Sequence, residues 1–399
     1  MDYPYLTANQ PGIGGKIKVA PEDFIVEEIP LYPASGQGQH VYLEIEKREI
    51  STFAAVKAIA DALHIPRRNI GYAGLKDAFA VSRQTFSISN VKEQAVQALD
   101  LPKINILSIK RHRNKLKTGH LAGNKFTIKV REVSAEALPQ AQAILAQLHQ
   151  YGAPNYFGEQ RFGQRNNTHR LGETLIRHDY DMFVAEYLGR PQPHEWPDLQ
   201  AARHLVDKGR WAEALQKWPS QLSDEKRVLA EIAKNGLSDP TIHRALNKKL
   251  KGFFVSSYQS FLFNRLLAQR LPTLTQLQQG DVAYIHGKGA AFLVEDPAVE
   301  QPRADAFEIS PTGPLFGPKM LAAQGLPGEQ EQAILHEQGL TPDDFDIRGV
   351  KIRGARRPYR LKIKNPGIWW DAGIVISFDL EPGNYATTVL AEIMKPSAE

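Results

Sequence analysis

The chain has no cysteine. Disulfides, cysteine nucleophiles and thiolate zinc sites are therefore excluded. No apolar run approaches the roughly 18 residues of a membrane span, so no membrane partner is expected. Met1-Asp2-Tyr3-Pro4 shows neither a basic nor an apolar leader region, and a cytoplasmic protein is expected. Twelve histidines form no H-x-x-x-H on a helix and no set with adjacent carboxylates, so no metal is expected. No serine sits in G-x-S-x-G, which leaves a triad hydrolase unsupported. Gly12-Ile13-Gly14-Gly15-Lys16 lacks the spacing of a phosphate loop and reads as flexible. Internal repeats and low-complexity tracts are missing as well.

What is present is ordinary in bulk. At 399 residues, with 42% hydrophobic and 23% charged content, the chain can build two or three domains with ample cores. A net charge of +5 permits a polyanionic partner without requiring one. Clustering says more. Lys110 to Lys117 holds five cations and no acid, with Arg111, Arg113, Lys115 and Lys117 among them. Lys351, Arg353, Arg356, Arg357, Arg360, Lys362 and Lys364 form a second group. Each could be a solvated face; together, beside glycine-rich and aromatic segments, they favour contact with a phosphate backbone.

Along the chain, Lys16–Val19 and Phe24–Val26 alternate as strands about a break at Pro21. Ser51 or Thr52 caps a helix to about His64, with Phe53, Val56, Ala60 and Leu63 on one face. Strands follow near Thr85–Ile88, Ile104–Ile109 and Phe126–Val130, and a helix spans about Ala137–Gln150, stopped by Gly152. From Gly152 to Leu340 helical patterns dominate, punctuated by Pro191-Gln192-Pro193 and Trp218-Pro219. Strands return at Tyr359–Lys364 and Gly373–Leu380, and a helix closes the chain. Trp369-Trp370 reads as a core or sheet-end anchor, with base stacking as the alternative use.

The most informative stretch is Gly71-Tyr72-Ala73-Gly74-Leu75-Lys76-Asp77, followed by Ala80-Val81-Ser82-Arg83-Gln84. The glycines allow a sharp turn or close backbone approach that would leave one carboxylate, Asp77, in a cleft. A surface turn with a solvated Asp is the plain alternative. Six further blocks stand in order: Pro21–Glu28, Gly123–Thr127, Pro154–Gly163, Gln259–Asn264, Pro311–Gly317 and Pro382–Thr387. Together the seven resemble the signature of the TruD family of tRNA pseudouridine synthases over nearly the whole chain.

That resemblance implies an α+β catalytic domain of the pseudouridine synthase fold, with a mixed, largely antiparallel sheet, built from residues 1–151 and 359–399. Between them it implies a mainly α-helical inserted TRUD domain at 152–358. The implied reaction is isomerisation of uridine to pseudouridine in tRNA, at position 13. Asp77 matches the catalytic aspartate, as nucleophile at C1′ or base at C2′ of the ribose, and both remain open. Lys18 matches its ion-pair partner. Phe24, Asn124, Phe126 and Tyr385 match positions lining the uracil pocket; Tyr385 departs from members with phenylalanine there. On pattern alone Phe24 is a core residue and Lys18 a lone strand lysine. Asn155–Gly163 reads equally as a domain-boundary hinge and as an RNA contact. No cofactor is implied, because the isomerisation is redox-neutral and the base stays bound.

Two other classes fit parts of the sequence. A non-catalytic RNA-binding or RNA-folding protein needs the basic clusters but not Asp77. A metal-dependent phosphoryl enzyme needs carboxylates converging on Asp77, and Glu22, Asp23, Glu27 and Glu28 are the local candidates.

Overall fold

The computed structural model describes residues 3–395. Packing divides the chain into two units, Tyr5–Pro154 with Leu361–Glu399, and Met1–Pro4 with Asn155–Arg360. The expected limits of 151/152 and 358/359 thus compare with breaks after Pro154 and Arg360. No helix among the described residues is long and apolar enough to cross a membrane.

The first unit opens with β1 (Phe24–Pro30), β2 (His40–Arg48), α1 (Thr52–Ala62), β3 (Ile70–Tyr72) and β4 (Val81–Ser89). It continues through α2 (Glu93–Gln97), β5 (Ile104–His112), β6 (Leu121–Val130), α3 (Leu138–Tyr151) and the two-residue β7 (Ala153–Pro154). The Ser51 hydroxyl caps α1 by accepting from the Ala54 N–H at 3.2 Å. The face that α1 buries is Thr52, Ala55, Val56, Ile59 and Ala60, a helical i, i+3, i+4, i+7, i+8 stripe. Phe53 was expected on that face; it is 59% exposed and meets the Tyr72 ring edge to face. The stripe runs one residue out of phase with Phe53 because Ala55 and Ile59 complete it.

The second unit is built from α4 (Thr168–Ile176), α5 (Tyr180–Tyr187), α6 (Pro197–Asp207), α7 (Trp211–Lys217), α8 (Ser223–Asn235), α9 (Asp239–Ala245) and α10 (Lys248–Arg270). It adds β8 (Val282–Ile285), β9 (Ala290–Leu293), α11 (Pro297–Asp305), β10 (Ile309–Leu315), α12 (Gly325–Glu337) and β11 (Ala355–Pro358). Its core forms around α10, where Phe254, Val255, Tyr258, Leu262, Phe263 and Leu267 are buried. A side chain at Gly172 of α4 would put its Cβ 2.1 Å from the Phe254 carbonyl oxygen, so glycine lets α4 and α10 touch backbone to backbone. The helical middle also carries an antiparallel sheet in the order β11-β10-β8-β9. Its strands escaped the sequence reading because they are short and β10 contains Pro311 and Pro314, residues that argue against a strand.

After β12 (Arg360–Leu361) the chain completes the first unit with β13 (Lys364–Trp370), β14 (Ile374–Leu380) and α13 (Ala386–Met394). The large sheet runs β13-β14-β6-β1-β4-β2-β5, with β3 added on β4. Only β1 and β4 pair in parallel; the other pairs are antiparallel. The sheet is therefore mixed and largely antiparallel, and the fold class is α+β. Trp369 and Trp370 lie on the edge strand β13, 44% and 41% exposed, and are not core residues.

Strand alternation sorts the large sheet into two faces. One face carries two apolar clusters. Ile128, Val130, Ile374, Ile376 and Phe378 pack under α3 and α13; Leu43, Ile45, Phe86 and Ile88 pack under α1. The opposite face is charged, with Arg83 bridging Glu27 and Glu46. Where the two clusters meet, Lys47, Ser82, Glu28 and Asn124 stand on the same face.

Candidate active site

Cross-strand register places Lys47, Ser82, Val26, Phe126 and Phe378 in one row across the buried face. Glu28, Asn124 and Leu380 follow in the next row. Over this strip passes the irregular loop 73–80, between β3 and β4. Gly71, in β3 just before the loop, lies close against the Leu116 segment. Its φ is not positive, but a Cβ there would lie 2.3 Å from the Leu116 carbonyl oxygen. Gly74 has no such crowding.

The loop is tied down from beneath. Gln84 Nε2 donates to the Gly74 carbonyl at 2.6 Å. The Lys76 N–H donates to Thr52 Oγ1 at 2.9 Å, and Thr52 donates in turn to Gln84 Oε1. Lys47 Nζ donates to the Asp77 carbonyl at 3.1 Å and to the Ile50 carbonyl at 2.6 Å. The Lys76 side chain turns inward to Glu28 at 3.3 Å and donates to Asn124 Oδ1 at 2.6 Å. Burial pushes the Glu28 carboxyl up and the Lys76 ammonium down from their ordinary values, while the charge of each partner opposes that shift.

Asp77 itself points outward. Its side chain is 46% exposed and meets Lys18 Nζ at 3.0 Å. Lys18 was expected in a strand. Instead residues 16–19 make only an isolated bridge, Lys16 to Arg131, and Lys18 has a φ of 58°. The left-handed conformation turns its side chain over Phe24, with Nζ 4.5 Å from the ring centroid. Phe24 meets Phe126 edge to face at 6.2 Å, and Phe126 meets Phe378 at 5.8 Å. Phe24 and Phe126 are 4% and 8% exposed, so they form a floor, not an open stacking platform. Because an ammonium can only donate, Lys76 fixes the Asn124 amide with its oxygen inward. The Asn124 NH2 is then the group left for a ligand. Tyr385 is half-buried at the N-cap of α13.

The four nearby carboxylates do not converge on Asp77. Asp23 is held by Arg131 at 2.8 Å, which keeps its carboxyl below the usual range. Glu22 pairs with Arg48. Glu27 sits on the charged face with Arg83 and Lys125, and Glu28 is taken by Lys76. A cation site built on Asp77 therefore lacks the ligands it needs. Elsewhere, His178, Asp239 and His243 bring ligand atoms within 4.8 Å of one another. Asp239 and His243 stand four residues apart on α9, a local spacing that the sequence reading did not single out, and His178 joins them from far away in the chain. The Tyr180 hydroxyl bonds Asp239 and lies 2.8 Å from His178 and 3.2 Å from His243, making the group a hydrogen-bonded hub.

The basic clusters fare differently from expectation. Arg111 is paired with Glu93 at 3.0 Å, and Lys115 donates to the Arg68 carbonyl. Arg113 and Lys117 are exposed. In the second cluster Lys351, Arg353 and Lys364 are exposed, whereas three arginines are engaged within the protein. Arg356 grips Glu331 at 2.7 and 2.9 Å. Arg357 lies 4.1 Å over Phe157. Arg360, 2% exposed, donates to Ser310 and the Ala304 carbonyl and covers Phe307. The planar guanidinium suits such buried forks and ring faces. Asn155–Gly163 is likewise bound into its own unit: the Phe157 N–H and carbonyl pair with the Asn264 amide at 2.8 and 2.9 Å.

Known proteins resemble this chain over nearly its whole length. The family model for tRNA pseudouridine synthase D (TruD) matches residues 1–393. The chain belongs to the TruD family. A "tRNA pseudouridine synthase D" of Syntrophotalea carbinolica is 44% identical over 393 residues, covering 98% of each chain. A relative of the same name from Geobacter metallireducens is 44% identical, covering 98% of this chain and 97% of its own. Among solved structures, a Methanosarcina mazei chain carrying the TruD name superposes with a TM-score of 0.84 at 28% identity, covering 98% of this chain and 96% of that one. Membership of the TruD family makes the chain a tRNA pseudouridine synthase, an isomerase, with tRNA as the substrate the family implies.

Proposed function

We propose that this TruD-family chain converts uridine 13 of tRNA to pseudouridine through Asp77. The observation that carries the reading is the Lys18–Asp77 pair, 3.0 Å apart, beside the Phe24–Phe126 floor and the Asn124 amide. The C1′–N1 bond breaks, the uracil turns while still bound, and a C1′–C5 bond forms; the proton lost from C5 is balanced by one gained at N1. The partly exposed Asp77 carboxylate can reach the ribose of a base drawn out of its stack. There it acts as nucleophile at C1′ or as base at C2′. Lys18 orients it through the 3.0 Å contact. The Asn124 NH2 donates to a uracil carbonyl, and Phe24, Phe126 and Tyr385 line the pocket. Nothing in the step changes oxidation state, so it calls for no cofactor or metal. A tRNA substrate supports the cytoplasm as the place of work.

Asp77→Asn keeps the shape and removes both nucleophile and base. It should lower the single-turnover rate on tRNA by at least about 10²-fold while leaving tRNA affinity near wild type. Turnover close to wild type in the purified variant would rule Asp77 out.

A further inference from the structure

We infer that Lys47 is a positioning residue for this reaction: from the buried face of β2 its ammonium holds the main chain at residue 77 and so sets where the Asp77 carboxylate meets the ribose. The inference rests on the reading of Asp77 as the catalytic group.

Lys47 is fully buried, with 0% exposure, at a position where Val41, Leu43 and Ile45 precede it on the same inward face. Its Nζ has two hydrogen-bond acceptors, the Ile50 and Asp77 carbonyls at 2.6 and 3.1 Å. No carboxylate comes within ion-pairing distance of it among the described residues. Taking an ammonium out of water without a paired anion is costly, and an apolar side chain of the same length would fill the space without that cost. Packing therefore does not explain a lysine here. A residue that burdens the fold beside a reacting group is the pattern expected where function and stability conflict.

The loop explains what the lysine does. Residues 73–80 have no helix or strand, and Leu75, Ala78 and Phe79 are exposed around Asp77. Gln84 fixes the chain at Gly74 and Thr52 fixes it at Lys76. At residue 77 itself, the main chain is fixed by Lys47 and the side chain by Lys18. Removing Lys47 frees the peptide that carries the carboxylate while leaving the other ties in place.

The test compares wild type, Lys47→Met, Lys47→Gln and Asp77→Asn by single-turnover rate at saturating tRNA, by tRNA dissociation constant and by thermal melting. Lys47→Met should lose about 10²-fold in rate, the effect of displacing a catalytic group by about 1 Å. Its tRNA affinity should be unchanged and its melting temperature equal or higher. Lys47→Gln, which keeps an N–H donor on a shorter stem, should fall between. The inference is overturned by a wild-type rate in Lys47→Met, by a rate loss matched by lost tRNA affinity, or by a melting temperature well below wild type. An inactive Asp77→Asn with a fully active Lys47→Met would overturn this inference alone. An active Asp77→Asn would remove the reading on which it stands.

Discussion

Lys18 reaches Asp77 from a left-handed backbone conformation, which costs a non-glycine residue about 1 kcal/mol or more. Such a cost at an ion pair is consistent with use of the pair. Lys18→Met keeps the stem and removes the charge; the rate should fall roughly ten- to a hundred-fold with tRNA affinity little changed, measured by single turnover. An unaltered rate would dissociate Lys18 from the chemistry. Lys47 gives a pH prediction. Burial pushes its ammonium down from 10.5 to about 8. The unfolded chain then binds more protons than the folded chain between these values, so the lysine burdens stability below pH 8 and the burden lifts as pH rises. Wild type should gain stability relative to Lys47→Met between pH 8 and 10, read by denaturant unfolding at each pH. The sequence marked Asp77 by the glycines before it and Lys18 only through resemblance; it gave Glu28 and Lys76 no role beside each other, and it passed over Lys47. A signal was available: the period of two in Val41, Leu43, Ile45 and in Phe24, Val26 puts Lys47 and Glu28 on the inward face. The turn at Lys18 had no such sign, because its left-handed φ is set by tertiary contacts.

Elements hold the site more through close approach than through helix or strand propensity. The start of β3 and the segment at Leu116 touch at Gly71, where a Cβ would sit 2.3 Å from a carbonyl oxygen. Gly71→Ala should destabilise the chain by about 1–3 kcal/mol, seen as a lower denaturant midpoint; an unchanged midpoint would mean the two segments separate freely. The first basic cluster spans the end of β5 and the connection to β6, and its members divide by partner. Arg113 and Lys117 are exposed, whereas Arg111 and Lys115 are engaged with Glu93 and Arg68. Neutralising Arg113 and Lys117 should flatten the dependence of log K on log salt by about 0.7–0.9 for each phosphate no longer neutralised. Equal slopes for wild type and the double variant would show that the connection does not meet RNA. Helices with clear stripes, such as α1 and α3, were legible from periodicity. The β8–β11 sheet was not, because four-residue strands and prolines leave too short a pattern.

At the scale of the molecule, the strand-rich ends and helix-rich middle stood in the sequence as a change of period near Gly152, and the packing breaks fall after Pro154 and Arg360. The sheet order did not stand there, since non-local pairings such as β1 with β4 and β6 depend on the whole chain. Charge counts misled at this scale. Three arginines of the second cluster, read as an RNA face, are consumed in holding the helical unit together. The first unit sets Asp77 on a loop over the buried sheet face, with Lys18, Phe24, Phe126 and Asn124 in the same region, and the account stands on that convergence. Its most direct test is pseudouridine mapping of total RNA from cells lacking the protein, complemented with wild type or with Asp77→Asn. The account predicts pseudouridine at position 13 of tRNA with wild type and plain uridine there with the variant. The same modification in both, or in neither, would contradict it.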